Sequence, residues 1–166
     1  INALLLTKLS CGAIMNGDTI TNTDLLKLEK ASVSNDVDGV MGCVTMEANQ
    51  DYGFLETDDK SMLVGFDLKK DYNKCKKVYN GIYYFTEHFV RKLTLNKSIM
   101  QKFKSAEPLS LEHDLLRQES FNTFVYTSPE NYFDDLGTPQ RFFEAQQRLE
   151  KLSKLSKGGR KMVVRK

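Results

Sequence analysis

Residues 14–20 of the chain read IMNGDTI, an apolar run that stops abruptly at an Asn-Gly-Asp turn. An apolar run bounded by such turn signals predicts a strand that ends at the turn. The carboxylate of Asp18 is therefore expected at the C-terminal tip of a strand. In open α/β sheets ligands bind in the crevice beyond such tips. The sequence thus predicts a ligand site at Asp18.

A second stretch, residues 132–139, reads YFDDLGTP and repeats the order of apolar residues, acid, glycine and turn. Thr138 as N-cap with Pro139 at the first helical position predicts that a helix begins there. An acid from this stretch and Asp18 are suited to hold one hard divalent cation, which takes oxygen ligands and often shares them with a phosphate. We hypothesise that the two stretches converge on one metal ion.

The composition is that of an ordinary globular protein. The 166 residues predict one domain, and 40% apolar with 28% charged residues do not indicate disorder. A net charge of +2 gives no general case for nucleic acid or a membrane as partner. Every charged residue from Lys151 onward is basic. We expect a domain over residues 1–155, with residues 156–166 as a basic tail or the start of a linker or next domain.

The cysteines and histidines exclude several kinds of site. Three widely spaced cysteines without a Cys-x-x-Cys pair argue against a disulfide framework or a zinc site, and favour free thiols in a reducing cytosol. Two histidines exclude a multi-histidine metal centre. Residues 1–7 are apolar but too short to span a membrane, and they lack the flanks of a signal peptide. A soluble, cytoplasmic protein is expected.

Strand and helix patterns alternate along the chain, which predicts an α/β fold with a mainly parallel sheet flanked by helices. Thr23 is the expected cap of the first helix, with Leu25, Leu26 and Leu28 facing inward. Residues 52–56 and 62–66 predict a small antiparallel hairpin. Residues 69–77 read as a loop, and residues 78–85 read as a strand interrupted by a glycine, which often marks a bulge or a close approach to the backbone.

The connection between the first two predicted strands is unusually short. Residues 1–7 and the strand that opens at Ala13 are separated by only five residues, 8–12. Two parallel strands need a crossover of about a dozen residues or more. Either the two strands pair antiparallel, or a segment between Thr7 and Ala13 is missing from the chain as written.

Six successive segments of the chain are similar to the sequence motifs of one protein family. They are residues 16–19 (NGDT), 52–53 with 62–66 (YG and MLVGF), 69 (K), 80–83 (NGIY), 110–114 (SLEHD) and 133–139 (FDDLGTP). Their order over residues 14–149 resembles the nucleotidyltransferases that activate sugar 1-phosphates, and the wording is most similar to the heptose and mannose 1-phosphate guanylyltransferases. The NGIY segment is one residue shorter than the family's pattern.

The resemblance implies a Rossmann-like fold and a defined set of roles. Asp18 and Asp135 would hold Mg²⁺, and Lys69 would balance the charge of the sugar phosphate. The implied substrate-binding residues are Asn16, Gly17, Tyr52, Gly53, Asn80, Gly81 and Glu112. The implied partners are a nucleoside triphosphate and a sugar 1-phosphate, whose phosphate oxygen would attack the α-phosphorus and release pyrophosphate. No nucleic acid and no membrane are implied, and the oligomeric state stays open, a homo-oligomer included.

One departure from the family leaves the function open. A glycine-rich loop with an arginine and a lysine should follow the first strand and cradle the triphosphate, but residues 8–12 contain no glycine cluster. The alternative is a non-catalytic relative that binds a sugar phosphate or nucleotide sugar and regulates or scaffolds a partner. A third reading is an adaptor whose basic tail docks a polyanion. The base and the sugar are not specified by the sequence.

Each candidate residue also has a plainer interpretation. Asn-Gly-Asp is a common turn, and an acid such as Glu112 in the first turn of a helix favours the helix dipole. Lys69 belongs to a lysine-rich segment that solvation alone explains. Asp134 is expected to be solvated, and Phe142 and Phe143 are expected in the core.

Overall fold

The computed structural model describes residues 9–47, 54–67, 75–116, 120–127 and 132–157. The predicted strand at residues 1–7 lies outside these ranges. The strands are β1 Gly12–Met15, β2 Thr19–Thr21, β3 Gly39–Glu47, β4 Phe54–Thr57, β5 Leu63–Asp67, β6 Cys75–Phe85, β7 Thr123–Thr127 and β8 Phe133–Asp135. The helices are α1 Leu25–Asn35, α2 Glu87–Leu95, α3 Lys97–Lys104 and α4 Pro139–Lys157, with a π-helical turn at Leu111–Leu116.

The long strand β6 organises the main sheet. The sheet has six strands in the order β5-β4-β6-β3-β7, and β1 also pairs with β6. β3 covers one edge of β6 over most of its length, whereas β1 and β4 share the other edge. β2 and β8 form a separate two-stranded antiparallel sheet. The predicted α/β class is confirmed, with a central sheet flanked by helices and an antiparallel β4–β5 hairpin.

The expectation of a mainly parallel sheet is wrong for the described strands, because only β3 and β7 pair in parallel. β6 runs antiparallel to β1, β3 and β4. A parallel neighbour requires a long crossover, usually with a helix, whereas a short turn returns the chain antiparallel. No described helix lies between β3 and β6, so no helical crossover is seen along this part of the chain.

The core occupies both faces of the sheet, as the apolar residues at both parities of β3 predict. Val40 and Ile82 pack with Leu28 of α1 on one face. Their neighbours Met41 and Tyr83 pack on the other face. Alternation of side chains along a strand explains why adjacent residues serve opposite layers. That second layer includes residues of α2, α3 and the π-helical turn: Phe89, Leu93, Ile99, Leu115 and Leu116.

The first helix is capped one residue later than predicted. Asp24 is the N-cap of α1, and its carboxylate accepts a hydrogen bond from the backbone of Leu26 at 2.9 Å. Thr23 is instead buried, with its hydroxyl bonded inside the protein. Leu28 is buried as predicted, whereas Leu25 and Leu26 are exposed. The inward face of α1 is therefore narrower than the leucine pattern predicts.

The helix start predicted at Thr138 and Pro139 is confirmed, whereas two other predictions made from the sequence are wrong. Thr86 caps α2, and Thr138 accepts a hydrogen bond from the backbone of Arg141 in the first turn of α4. The predicted loop at residues 69–77 is wrong at its end, because Cys75 already belongs to β6. Phe142 and Phe143 are 56% and 60% exposed, so the prediction of core positions is wrong for both.

Within the described residues, no helix has both the length and the hydropathy needed to cross a bilayer.

Candidate active site

The candidate site is built at a gap along one edge of β6. On that edge β1 pairs with residues 82–85, and β4 pairs at Val78. The stretch 79–81 lies between the two partners. β1 ends at Met15, and the backbone N–H of Asn16 donates to the carbonyl of Gly81 at 2.8 Å. The predicted tip after β1 is therefore anchored to β6 inside the gap.

Gly81 makes this anchor possible. Its φ of 83° lies in the left-handed region that favours glycine. A Cβ at this position would lie 2.4 Å from the hydroxyl oxygen of Thr19. The space that a side chain at residue 81 would need is therefore taken by Thr19. The predicted substrate contact of Gly81 stays a prediction.

The two acids predicted to share a metal ion are brought together. Thr19 and Asp135 are partners in the β2–β8 sheet, and the backbone of Leu136 donates to the carbonyl of Asp18 at 2.7 Å. A Cβ built on Gly137 would lie 2.9 Å from Oδ1 of Asp135 and 3.9 Å from Oδ2 of Asp18. The two carboxylate oxygens are therefore separated by no more than these two distances end to end. Both oxygens therefore lie close to the same point, beside Gly137.

The carboxylate of Asp135 is held by two groups that follow it in the chain. Its Oδ1 accepts from the backbone N–H of Gly137 at 2.6 Å, and its Oδ2 accepts from Nη1 of Arg141 at 3.0 Å. Arg141 lies in the first turn of α4, which Thr138 caps. Arg141 was not predicted from the sequence. The signal that could have found it is its position in the first turn of a helix that begins soon after Asp135, which places its side chain within reach of that acid.

A cavity of about 200 Å³ collects four of the predicted residues: Asn16, Asp18, Glu112 and Asp135. Its remaining walls are Thr19, Leu55, Phe66, Val78, Tyr79 and Phe133. Acidic and amide groups thus face several apolar side chains. This combination is typical of a site that orients a polar ligand while it excludes water.

Glu112 reaches the cavity from a π-helical turn rather than from the α-helix expected after Ser110. The carboxylate of Asp114 accepts from the backbone of Ser110 at 2.7 Å and from Nζ of Lys102 at 2.6 Å. Leu115 and Leu116 fix the end of the turn in the core. Single π-helical turns occur frequently at functional sites. Asp114 also raises the pKa of Lys102 through their hydrogen bond and ion pair.

Tyr79 is a cavity residue that sequence reasoning missed. Among the described residues, only two buried side-chain polar atoms have no hydrogen-bond partner, and its hydroxyl is one of them. Burial raises the pKa of the Tyr79 phenol, and the negative charge of Glu112 raises it further. The phenol is therefore neutral at physiological pH and keeps its proton available for donation.

Asn80 does not line the cavity. Its side chain is 0% exposed, and its Nδ2 donates to the hydroxyl of Thr23 at 2.7 Å. Its Oδ1 is the second buried atom without a partner in the described part of the chain, and it lies 2.6 Å from where a Cβ on Gly42 would be. The side chain forms an internal brace between β6 and the segment before α1, and the predicted substrate contact of Asn80 stays a prediction.

The remaining predicted site residues are placed only in part. Gly17 lies in the exposed turn after β1, and a Cβ there would have no atom within 4 Å. Tyr52, Gly53 and Lys69 lie outside the described residues, so their roles stay predictions.

A second, wider cleft of about 720 Å³ adjoins the first across Phe133 and Asp135. Asp134 lies in its wall, is buried, and pairs with Nη2 of Arg148 at 2.5 Å. The hydroxyl of Tyr132 also bonds this carboxylate. The expectation of a solvated Asp134 is therefore wrong, because an arginine of α4 neutralises it within the fold.

The carboxylates of the first cavity suit a magnesium ion that takes some of its ligands from the protein and the others from the substrate. The described residues contain no group of three or more His, Cys, Asp or Glu side chains placed to hold a metal by themselves. Mg²⁺ is commonly bound by one or two carboxylates together with substrate phosphates and water. The carboxylates of Asp18 and Asp135 fit that pattern.

The chain is similar to known proteins in both sequence and fold. Residues 2–152 match a protein family described as "Nucleotidyl transferase". The chain is 28% identical over 138 residues to the D-glycero-α-D-manno-heptose 1-phosphate guanylyltransferase of Aneurinibacillus thermoaerophilus, which covers 82% of this chain and 55% of that protein.

Two crystal structures of HddC from Yersinia pseudotuberculosis share the fold. The one complexed with GMP-PN has a TM-score of 0.68 at 19% identity and covers 89% of this chain and 60% of that one. The other has a TM-score of 0.67, also at 19% identity, with the same coverage. The chain thus spans little more than half the length of these relatives.

Proposed function

The chain belongs to the nucleotidyl transferase family, and on that premise we propose that it joins a nucleoside triphosphate to a sugar 1-phosphate and releases pyrophosphate. The observation that carries the proposal is the convergence of Asp18, Asp135 and Glu112 on one cavity from three separate elements of the fold. The two aspartates supply a cation site, and the glutamate supplies an acceptor for sugar hydroxyls. Together these groups match the phosphate part and the sugar part of a sugar 1-phosphate.

The reaction needs positioning and charge neutralisation more than covalent chemistry. Both reactants are anions, so their mutual repulsion and their alignment form much of the barrier. Asp18 and Asp135 would hold Mg²⁺, which when bound neutralises and orients phosphate oxygens. The cavity residues Leu55, Phe66, Val78 and Phe133 would exclude water from the reacting groups.

A direct attack of the sugar phosphate oxygen on the α-phosphorus needs no protein nucleophile, because positioning and charge neutralisation supply most of the catalysis in such transfers. Lys69 is proposed to balance the charge of the sugar phosphate, and Tyr52 and Gly53 to contact the sugar.

The relatives indicate which substrates to test first. One relative is a heptose 1-phosphate guanylyltransferase, and one structure of HddC contains GMP-PN. We propose a guanine nucleotide and a heptose or mannose 1-phosphate as the substrate pair, with Mg²⁺ as the cofactor. The exposed free thiol of Cys11 suits a reducing compartment, so the cytoplasm is the proposed location.

A second candidate function rests on a specific feature of the sequence. No glycine cluster follows residues 1–7, so the chain lacks the loop that would cradle a triphosphate in this family. A domain that keeps the Glu112 side of the cavity without that loop would bind a sugar phosphate or a nucleotide sugar and would not turn it over. Such a protein would regulate or scaffold a partner.

One experiment separates the two candidates. A panel of nucleoside triphosphates is mixed with sugar 1-phosphates and Mg²⁺, pyrophosphate release is measured, and sugar phosphate binding is measured by calorimetry without nucleotide. Release with a guanine nucleotide and a heptose or mannose 1-phosphate supports the transferase. Binding without release supports the non-catalytic relative. If the protein neither binds a sugar phosphate nor releases pyrophosphate, both candidates are overturned.

A further inference from the structure

The hydroxyl of Tyr79 is the feature of the cavity that the proposed function has not used. It is buried without a hydrogen-bond partner, Tyr79 lines the same cavity as Glu112, and the charge of Glu112 acts on the phenol. Buried polar groups in folded proteins are nearly always paired, and exceptions are expected at sites that bind something. An unpaired hydroxyl in a cavity wall therefore points to a partner supplied by a ligand.

The surroundings of this hydroxyl select the part of the ligand that it meets. Among the described residues that line the cavity there is no lysine or arginine. The proposed Mg²⁺ position at Asp18 and Asp135 is where a phosphate group would be neutralised, whereas the phenol of Tyr79 offers a neutral donor and Glu112 offers an acceptor. Leu55 and Val78 add apolar surface beside them. Hydroxyl groups on a carbohydrate ring suit such a wall better than a phosphate does.

We propose that Tyr79 is a specificity-determining residue that donates its phenolic hydrogen to a hydroxyl oxygen of the sugar, while Glu112 accepts from the sugar. The inference rests on the proposed function, because it assigns a role within the same cavity. It predicts that recognition of the sugar depends on this hydroxyl and that recognition of the phosphate does not.

The chain offers a matched control in Tyr83, which is also on β6 and fully buried. Its hydroxyl lies 3.2 Å from the hydroxyl oxygen of Thr123, so it is already paired within the protein. Tyr83→Phe removes a satisfied hydroxyl and leaves Thr123 without that partner. Tyr79→Phe removes an unsatisfied hydroxyl. The two variants therefore test a structural and a ligand-directed hydroxyl with the same chemical change.

The experiment measures the affinity for heptose 1-phosphate, mannose 1-phosphate and inorganic phosphate by calorimetry, together with Tm. We expect Tyr79→Phe to weaken the preferred sugar phosphate by roughly fivefold to tenfold, the range for one neutral hydrogen bond. Its affinity for inorganic phosphate should be unchanged, and its Tm equal to or above that of the unmodified protein. Tyr83→Phe should lower Tm and leave sugar affinity unchanged.

Three results would overturn the inference. They are unchanged sugar affinity in Tyr79→Phe, an equal loss for inorganic phosphate, or a fall in Tm like that of Tyr83→Phe. If the unmodified protein binds no sugar phosphate, the proposed function fails as well. Binding by the unmodified protein with an unaffected Tyr79→Phe variant removes only the role of Tyr79.

Discussion

Thr19 lies opposite Asp135 in the antiparallel pair of β2 and β8, and this pairing places Asp18 beside the second acid. The hydrogen bond from the backbone N–H of Leu136 to the carbonyl of Asp18 holds the same two segments together. Two strands of three residues each thus hold together acids that are far apart in the sequence. The geometry of the proposed metal site depends on this small sheet as much as on the main one.

Replacing either acid by its amide tests the metal assignment. Asp18→Asn or Asp135→Asn should lower Mg²⁺-dependent pyrophosphate release by at least about 100-fold, because a neutral amide neutralises no charge on the cation. Binding of Mn²⁺, followed by electron paramagnetic resonance, should weaken in parallel. Asp59→Asn, in the exposed turn between β4 and β5, serves as the control and should bind Mn²⁺ normally. Retained Mn²⁺ binding in both cavity variants would contradict the assignment.

Glu112→Gln tests the sugar side of the cavity. Loss of a charged acceptor should raise the dissociation constant of the sugar 1-phosphate by roughly tenfold to 100-fold. Affinity for Mn²⁺ should change little, since the proposed metal ligands are the two aspartates. The comparison variant is Glu107→Gln, whose carboxylate accepts from the hydroxyl of Ser105 outside the cavity. Equal sugar affinity in both variants would remove Glu112 from the site.

Gly81→Ala should disturb the tip of β1 by two effects. The new Cβ would lie 2.4 Å from the Thr19 hydroxyl, and alanine disfavours the φ of 83°. We expect a loss of about 1–3 kcal/mol in the free energy of unfolding, measured by urea denaturation. Thr19→Ala in the same chain should recover the part due to contact. Gly17→Ala, which meets no atom within 4 Å, should stay within about 0.5 kcal/mol of the unmodified protein.

Lys102→Met should loosen the π-helical turn through Asp114. Because the folded pKa of Lys102 is raised, the pair contributes its full stability below the unfolded pKa of about 10.5. That contribution is lost as the pH rises through the folded pKa. The difference in Tm between the unmodified protein and the variant should therefore be small and constant near pH 7, and should vanish in strongly alkaline solution. A difference that persists there would indicate lost packing rather than a lost ion pair.

The acids and turns of the site were predictable because short-range signals specify them. An apolar run before Asn-Gly-Asp predicts a strand tip, and Thr138 before Pro139 predicts a helix start. The same order of apolar residues, acid, glycine and turn in the two stretches suggested that they converge, and the family resemblance singled out Asp135 as the partner of Asp18. The prediction of Thr23 rather than Asp24 as the helix cap was wrong because no local pattern distinguishes the two. Both are good caps, and the hydroxyl of Thr23 is engaged by Asn80.

Tyr79 and Asn80 show why the rest could not be predicted. A tyrosine in a strand carries no signal of whether its hydroxyl is paired, since that depends on the gap left between β1 and β4. An Asn-Gly pair usually indicates an exposed turn. Here Asn80 is buried because Gly42 leaves room for its amide and Thr23 receives its hydrogen bond. These are long-range facts of packing.

Three neighbours on β6 perform three different tasks: Tyr79 forms a cavity wall, Asn80 braces the interior, and Gly81 anchors the turn. Because side chains alternate between the faces of a strand, inserting or deleting one residue here would exchange these tasks. The phenol would leave the cavity wall, and the amide of Asn80 would take its face of the strand. A change of one residue in the length of this strand would therefore alter the wall of the cavity, even if the rest of the sequence stayed the same.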